Sequence, residues 1–222
     1  MEKYFDFLSE TKLFSGLSKE ELRGLLSCLG ADVLSVKRKS AVFLEGERAE
    51  YIYLVVKGKI QLEKNDYYGN RSIISTVGEG ELFAEEFACS DARSIPVSAA
   101  AAEDSIIVTI PAVRVLYTCE SGCDCHKKVI YNLMRQMAEK NIVYHRRLEI
   151  TSKRTTRDKL IAFLTEEEKL QGSPSFDIPF TREELADYLE VDRSGLCTEI
   201  GKLVKEGAIK TSRGHFELLK QK

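Results

Sequence analysis

The chain has 222 residues, 43% of them apolar and 31% charged, enough to bury a sizeable core and too apolar for wholesale disorder. Its 33 Lys and Arg against 35 Asp and Glu leave a net charge of -2, which argues against a chain that is basic throughout, as nucleic-acid-binding domains often are. No apolar run approaches the roughly 18 residues of a membrane-spanning helix, and the opening MEKYFDFLSE is too acidic for a signal peptide, so a cytoplasmic protein of two domains without a membrane partner is expected.

Along the chain, Ser18-Lys19-Glu20-Glu21 reads as a capping box that opens a helix carrying Leu22, Leu25 and Leu26 on one face. The chemistry then turns to short β-branched and aromatic runs: ADVLSVKRKSAVFLEGE, YIYLVVKGKIQLEKND, NRSIISTVGEGELF and IPVSAAAAEDSIIVTI. Gly58 and Tyr68-Gly69-Asn70 are read as hairpin turns, and the whole as a barrel or double-sheet β-roll. A small-ligand sensor and a carbohydrate-type jelly roll both fit that pattern.

From His126 to Thr151 there is no Gly or Pro, and Ile130, Met134, Met137, Asn141, Tyr144 and Leu148 follow one another in steps of four and three. That spacing predicts a long helix with a dimer seam, in which a polar Asn141 fixes register. The next segment, SKRTTRDKLIAFL, is predicted to be a helix with Leu160, Ile161 and Leu164 toward a core. The short strand FDIPF follows, then a second capping box at Thr181-Arg182-Glu183-Glu184 opening ELADYL. Asp192 caps a further helix, RSGLCTEIGKLVKEG, which Gly207 stops, and AIKTSRGHFELL makes two strands around Arg213-Gly214. Helix, turn, helix and hairpin together predict a winged helix-turn-helix, and the chain is an α+β protein.

Charge is unevenly spread over these zones. Residues 1–118 carry 14 basic and 18 acidic side chains, residues 119–152 carry 6 and 4, and residues 153–222 carry 13 and 13. From Arg193 to the end there are seven cations against three anions, which favours an anionic partner for that segment.

Six cysteines lie at 28, 89, 119, 123, 125 and 197. CESGCDCH places Cys119, Cys123, Cys125 and His126 within eight residues, a donor set that can bind zinc, an iron–sulfur cluster or haem, or act in redox chemistry. The one-residue gap calls for strand or turn geometry, and the spacing matches no site we can assign, so reduced thiols are favoured over a metal or cluster. Cys197 is read as a small packing residue. No nucleophilic triad, phosphate-binding loop or zinc-hydrolase pattern occurs, and no enzymatic activity is expected.

The order of parts resembles the Crp/Fnr family of transcription regulators over essentially the whole chain, above all in ELADYLEVDRSGLCTEIGKLVKEGAIK. The resemblance implies an N-terminal double-stranded, jelly-roll-like β-roll as effector domain (1–118), a linker and dimerisation helix (119–152), and a C-terminal winged helix-turn-helix (153–222). It implies a homodimer on a pseudo-palindromic double-stranded DNA operator, with RNA polymerase as a further partner. DNA contacts fall on Arg193, Ser194, Gly195, Thr198 and Lys202 of the recognition helix, and on Thr181, Lys210, Arg213 and His215 around it. Thr198 stands where the family usually has a guanine-reading arginine, so a different operator is expected.

For the effector, Glu85, Arg93 and Ser94 can be laid on the family's phosphate-binding cassette, and Tyr144 and His145 on the base-reading positions of the long helix. The departures argue against a cyclic nucleotide. Ala84 replaces a glycine, Glu86 adds a carboxylate expected to be buried, and neither Tyr144 nor His145 matches; another small effector or a redox signal is expected. A cyclic-nucleotide-binding module without a DNA role is the alternative.

Overall fold

The computed structural model describes residues 1–65, 71–92, 94–117 and 123–219, and it divides into two compact units, Met1–Ala138 and Glu139–Lys222. In the first, α1 (Phe5–Glu10) and α2 (Lys19–Leu29) precede the strands. The Ser18 hydroxyl accepts from the Glu21 N–H while the Glu21 carboxylate accepts from the Ser18 N–H, so the predicted capping box forms in both directions.

Among the described residues eight strands follow: β1 (Asp32–Val36), β2 (Ala41–Phe43), β3 (Tyr51–Lys57), β4 (Ile60–Asn65), β5 (Arg71–Val77), β6 (Leu82–Phe83), β7 (Ser98–Ala101) and β8 (Ser105–Pro111). They form two antiparallel four-stranded sheets, β1-β8-β3-β6 and β2-β7-β4-β5. Phe43, Tyr53, Phe83, Val97, Ala99 and Ile107 fill the space between them, with the Tyr53 and Phe83 rings stacked 5.0 Å apart. The run YIYLVV is apolar at successive positions because β3 is covered on both sides: Tyr53 and Val55 join that core, while Ile52, Leu54 and Val56 join a second one under α1 and α2.

Gly58 does not turn a hairpin. β3 and β4 lie in different sheets, so it carries the chain from one to the other at φ +89. A Cβ there would come within 2.4 Å of Ser105 Oγ and 2.9 Å of the Asp104 carbonyl oxygen, so glycine is required sterically as well as conformationally. The antiparallel partners β4 and β5 flank the other predicted turn, Tyr68-Gly69-Asn70, which lies outside the described residues. After β6 come α3 (Glu85–Ala88) and, beyond β8, α4 (Ala112–Leu116).

The long helix α5 (Asp124–Thr151) begins in the first unit, where Val129 and Leu133 are buried in the core under α1 and α2. Ile130 and Met137 of the predicted stripe pack partly on that same core, whereas Met134 (66% exposed), Asn141, Tyr144 and Leu148 (65%) face outward. The stripe is therefore split between the helix's own domain and solvent.

In the second unit, α6 (Thr156–Gln171), α7 (Arg182–Leu189) and α8 (Arg193–Lys205) pack with a three-stranded sheet β10-β11-β9, formed by Ile209–Ser212, His215–Leu218 and Ser175–Asp177. Leu160, Phe163 and Leu164 of α6 are buried, but Ile161 is 41% exposed. Positions 160, 163 and 164 share one helical face, and 161 lies about 100° away from 160, so the predicted inward Ile161 is corrected to Phe163. Among the described residues no helix is long and apolar enough to cross a membrane.

Candidate nucleic-acid interface and effector region

The α7–α8 pair owes its geometry to three local devices. The Thr181 hydroxyl accepts from the Glu184 N–H, and the Glu184 carboxylate accepts in return from the Thr181 N–H at 2.7 Å. Glu190 closes α7 in the left-handed region at φ +53, a position usually given to glycine. Asp192 then caps α8: its carboxylate accepts from the Ser194 hydroxyl at 2.5 Å and from the Gly195 N–H at 2.8 Å, and those bonds hold its pKa below the ordinary carboxylate value. Leu196, Ile200 and Leu203 bury the inner face of α8.

The opposite face carries the predicted contacts. Arg193, Ser194, Thr198 and Lys202 are exposed and Gly195 is partly so. They are not equally available. Arg193 has no ion pair or side-chain hydrogen bond among the described residues, whereas Lys202 is drawn to Glu199 at 2.7 Å and the Thr198 hydroxyl donates to the Ser194 carbonyl at 2.9 Å. Cys197 is exposed, not the packing residue expected from the sequence. On the wing, Arg213 occupies the turn at φ +53 and has no partner among the described residues. Lys210 pairs with Glu217 at 3.4 Å. His215 is held on both ring nitrogens, Nδ1 at 3.0 Å from Asp177 Oδ1 and Nε2 at 3.0 Å from Ser175 Oγ, so it braces β11 to β9. Thr181 likewise spends its oxygen on the cap.

Two arginines that sequence reasoning passed over shape this unit. Arg182, the first residue of α7, lies over the Phe216 ring at 4.6 Å and donates to Thr211 Oγ1 at 2.8 Å, fastening the wing to the helix pair. Its Nη1 is buried without a hydrogen-bond partner, and burial lowers its basicity. Arg157 of α6 donates to both carboxylate oxygens of Glu206 and lies 4.0 Å from Glu199, tying α6 to the end of α8. The TR-x-E signature pointed only to a cap; nothing local in the sequence marks either tertiary contact.

In the β-roll, Ala84 is buried and sits at φ +61, in the left-handed geometry that glycine adopts without strain. Glu85 is 1% exposed, Ser94 is exposed, and Arg93 lies outside the described residues. One expectation needs correction. Glu85 and Glu86 stand in the first turn of the short helix α3, and Glu86 is exposed and adds no buried charge. Glu85 and Glu86, after burial, contribute to pushing the Cys89 thiol up to about 11. A cavity of about 390 Å³ elsewhere in the roll is lined by Arg38, Lys39, Gln61, Glu63 and Ser98 over the alanines of β7, and takes in neither Glu85 nor Ser94. Tyr144 and His145 are exposed on α5 and belong to the second unit.

At the start of α5, Cys119 lies outside the described residues. Cys125 is already inside the helix, so the Cys-x-Cys pair does not adopt the strand or turn geometry anticipated; instead Cys123 Sγ meets His126 Nδ1 at 3.0 Å, one helical turn on. Among the described residues no group of three or more such side chains is placed to hold a metal.

The chain matches the model of the cyclic nucleotide-binding domain over residues 33–121 and that of the Crp-like helix-turn-helix domain over residues 158–222. It is 24% identical, over 206 residues covering 93% of this chain and 91% of the other, to the cyclic AMP receptor protein of Thermus thermophilus. Similar structures include the c-di-GMP-responsive global regulator CLP of Xanthomonas campestris (15% identity, 92% of this chain and 100% of that one, TM-score 0.58). DNR of Pseudomonas aeruginosa is similar at 18% identity over 100% and 96% of the two chains, with a TM-score of 0.51. The structural likenesses establish the shared fold.

Proposed function

Because the chain belongs to the Crp/Fnr family of DNA-binding transcription regulators, we propose that it acts as a homodimer that binds a pseudo-palindromic operator and answers to a small effector or redox signal sensed in its β-roll. The division of labour assigns sensing to residues 1–118, dimerisation to 119–152 and DNA binding to 153–222, with RNA polymerase as a further partner. The observation that carries the DNA reading is α8 itself. A buried inner face fixes it, Asp192 caps it, and its first turns hold an unpaired Arg193 beside Ser194 and Thr198 on an exposed surface. A guanidinium so placed can bond a guanine through O6 and N7, and Arg213 on the wing suits a phosphate. Two such helices in a symmetric dimer would enter successive major grooves about 34 Å apart.

The effector is proposed to be something other than a 3′,5′-cyclic mononucleotide. Ala84 replaces the flexible glycine of the cassette, and the exposed Tyr144 and His145 do not reproduce a base-reading pair. Selection of bound DNA from a random pool, followed by anisotropy titration at several salt concentrations, tests the first part. The expected result is a palindromic site whose log affinity falls linearly with log salt; a sedimentation monomer with salt-insensitive DNA binding refutes it. Absence of any thermal shift with cAMP or cGMP is expected for the second part, and stabilisation by either overturns it.

A further inference from the structure

Cys123 stands at the N-cap position of α5, half-buried, with its Sγ 3.0 Å from Nδ1 of His126. The His126 ring is 1% exposed, so packing fixes the imidazole against the thiol. The contact sits at the start of a 28-residue helix, where the Lys127 ammonium interacts with Cys123 and is itself paired with Asp124 at 2.9 Å. Glu21, from α2, faces Cys125 and Lys128.

The contrast with neighbouring thiols is chemical. Burial and Glu21 raise Cys125, and burial together with Glu85 and Glu86 raises Cys89 to about 11, so both favour the inert protonated form. The Cys123 sulfur, by contrast, has a buried imidazole beside it. Cysteine reactivity resides in the thiolate, and an imidazole in contact with the sulfur can take the thiol proton as the sulfur attacks.

We propose that Cys123 and His126 form a reactive dyad in which the Cys123 thiol is oxidised by hydrogen peroxide to a sulfenic acid. The Cys123 sulfur attacks one peroxide oxygen as its proton passes to Nδ1 of His126, and the O–O bond breaks. The departing hydroxide takes that proton from His126 and leaves as water. Sulfur is oxidised by two electrons, peroxide is reduced by two, and the products are Cys–SOH, neutral imidazole and water. The dyad stands at the junction of the β-roll and the long helix, and its chemistry is independent of the DNA-binding reading above.

The test is site-resolved mass spectrometry on the intact reduced protein at pH 7, following iodoacetamide labelling and, separately, capture of sulfenic acid with dimedone after a peroxide pulse. Cys123 should label about tenfold faster than the exposed Cys197 and should carry the dimedone adduct. A half-buried Cys123 that labels more slowly than Cys197, or yields no adduct, overturns the proposal without any variant being needed. In His126→Asn, checked for an unchanged melting profile, the Cys123 rate should fall about tenfold while that of Cys197 stays put. Equal Cys123 rates in both proteins dismiss His126 as the base. One equivalent of zinc in the protein as purified, lost in Cys123→Ser, would make the pair a metal site and likewise sink the idea. None of these readouts needs DNA, so failure here leaves operator binding untouched.

Discussion

Arg193 and Lys202 share the exposed face of α8 but differ in what holds them. Lys202 is engaged by Glu199 across one helical turn, whereas Arg193 is free to meet a base edge. Arg193→Ala should therefore cost operator affinity by about 1–3 kcal/mol and relax preference at one base pair, because a bidentate contact carries sequence information. Lys202→Ala should weaken binding more mildly and equally on all sequences. Anisotropy titrations with the selected operator and single-base variants separate the two, and a uniform loss for Arg193→Ala would show that it touches only phosphate. The sequence placed both residues on the exposed face of α8, since the cap and the period fix helical phase. It could not show which cation was already spoken for, because the Glu199 pair depends on side-chain geometry rather than on residue type.

At the scale of the element, caps were readable and inward faces less so. Both predicted capping boxes and the Asp192 cap form because their bonds run between residues three apart, within reach of local sequence. The bonds from Ser194 and Gly195 depress the pKa of Asp192 in the folded protein, so its contribution is fully present above the ordinary value of 3.8 and is lost as pH falls through the lower folded value. Melting temperatures of the protein and of Asp192→Asn, which keeps a capping oxygen without the charge, should accordingly differ most near pH 6 and converge in acid. A gap that ignores pH would mean that the charge contributes nothing. On α6, Phe163→Ala should cost about 3–5 kcal/mol and Ile161→Ala well under that, since only Phe163 is buried, against Phe180 and Tyr188. Urea denaturation of the two variants measures the difference directly.

At the scale of the molecule, net charge misleads when taken over the whole chain. The -2 averages an acidic β-roll with cations concentrated along α5 and after Arg193. α5 poses the assembly question. Val129 and Leu133 spend one side of it on the first core, and Ile150 is buried in the second, leaving Met134, Tyr144 and Leu148 at least half exposed. A stripe of that kind, in a family of dimeric regulators, is expected to be covered by a second copy. Leu148→Glu should shift sedimentation equilibrium toward monomer and abolish cooperative binding to the two half-sites; a variant that stays dimeric would place the seam elsewhere on the chain.

The sequence by itself determined the order of elements, the three helix caps, the double-sheet character of residues 32–111 and the presence of a winged helix-turn-helix, because these follow from short-range bonds, turn chemistry and hydrophobic period. Tertiary structure decided what depends on neighbours distant in the chain. It made Gly58 a crossing between sheets rather than a hairpin, since its steric limit is Ser105, 47 positions away. It exposed Glu86, turned His215 into a brace for the wing, set Arg182 between α7 and the wing, and brought a buried imidazole against the Cys123 sulfur. Residue type announces what a side chain can do; burial and partners, which only the fold supplies, select which of those capacities remain available.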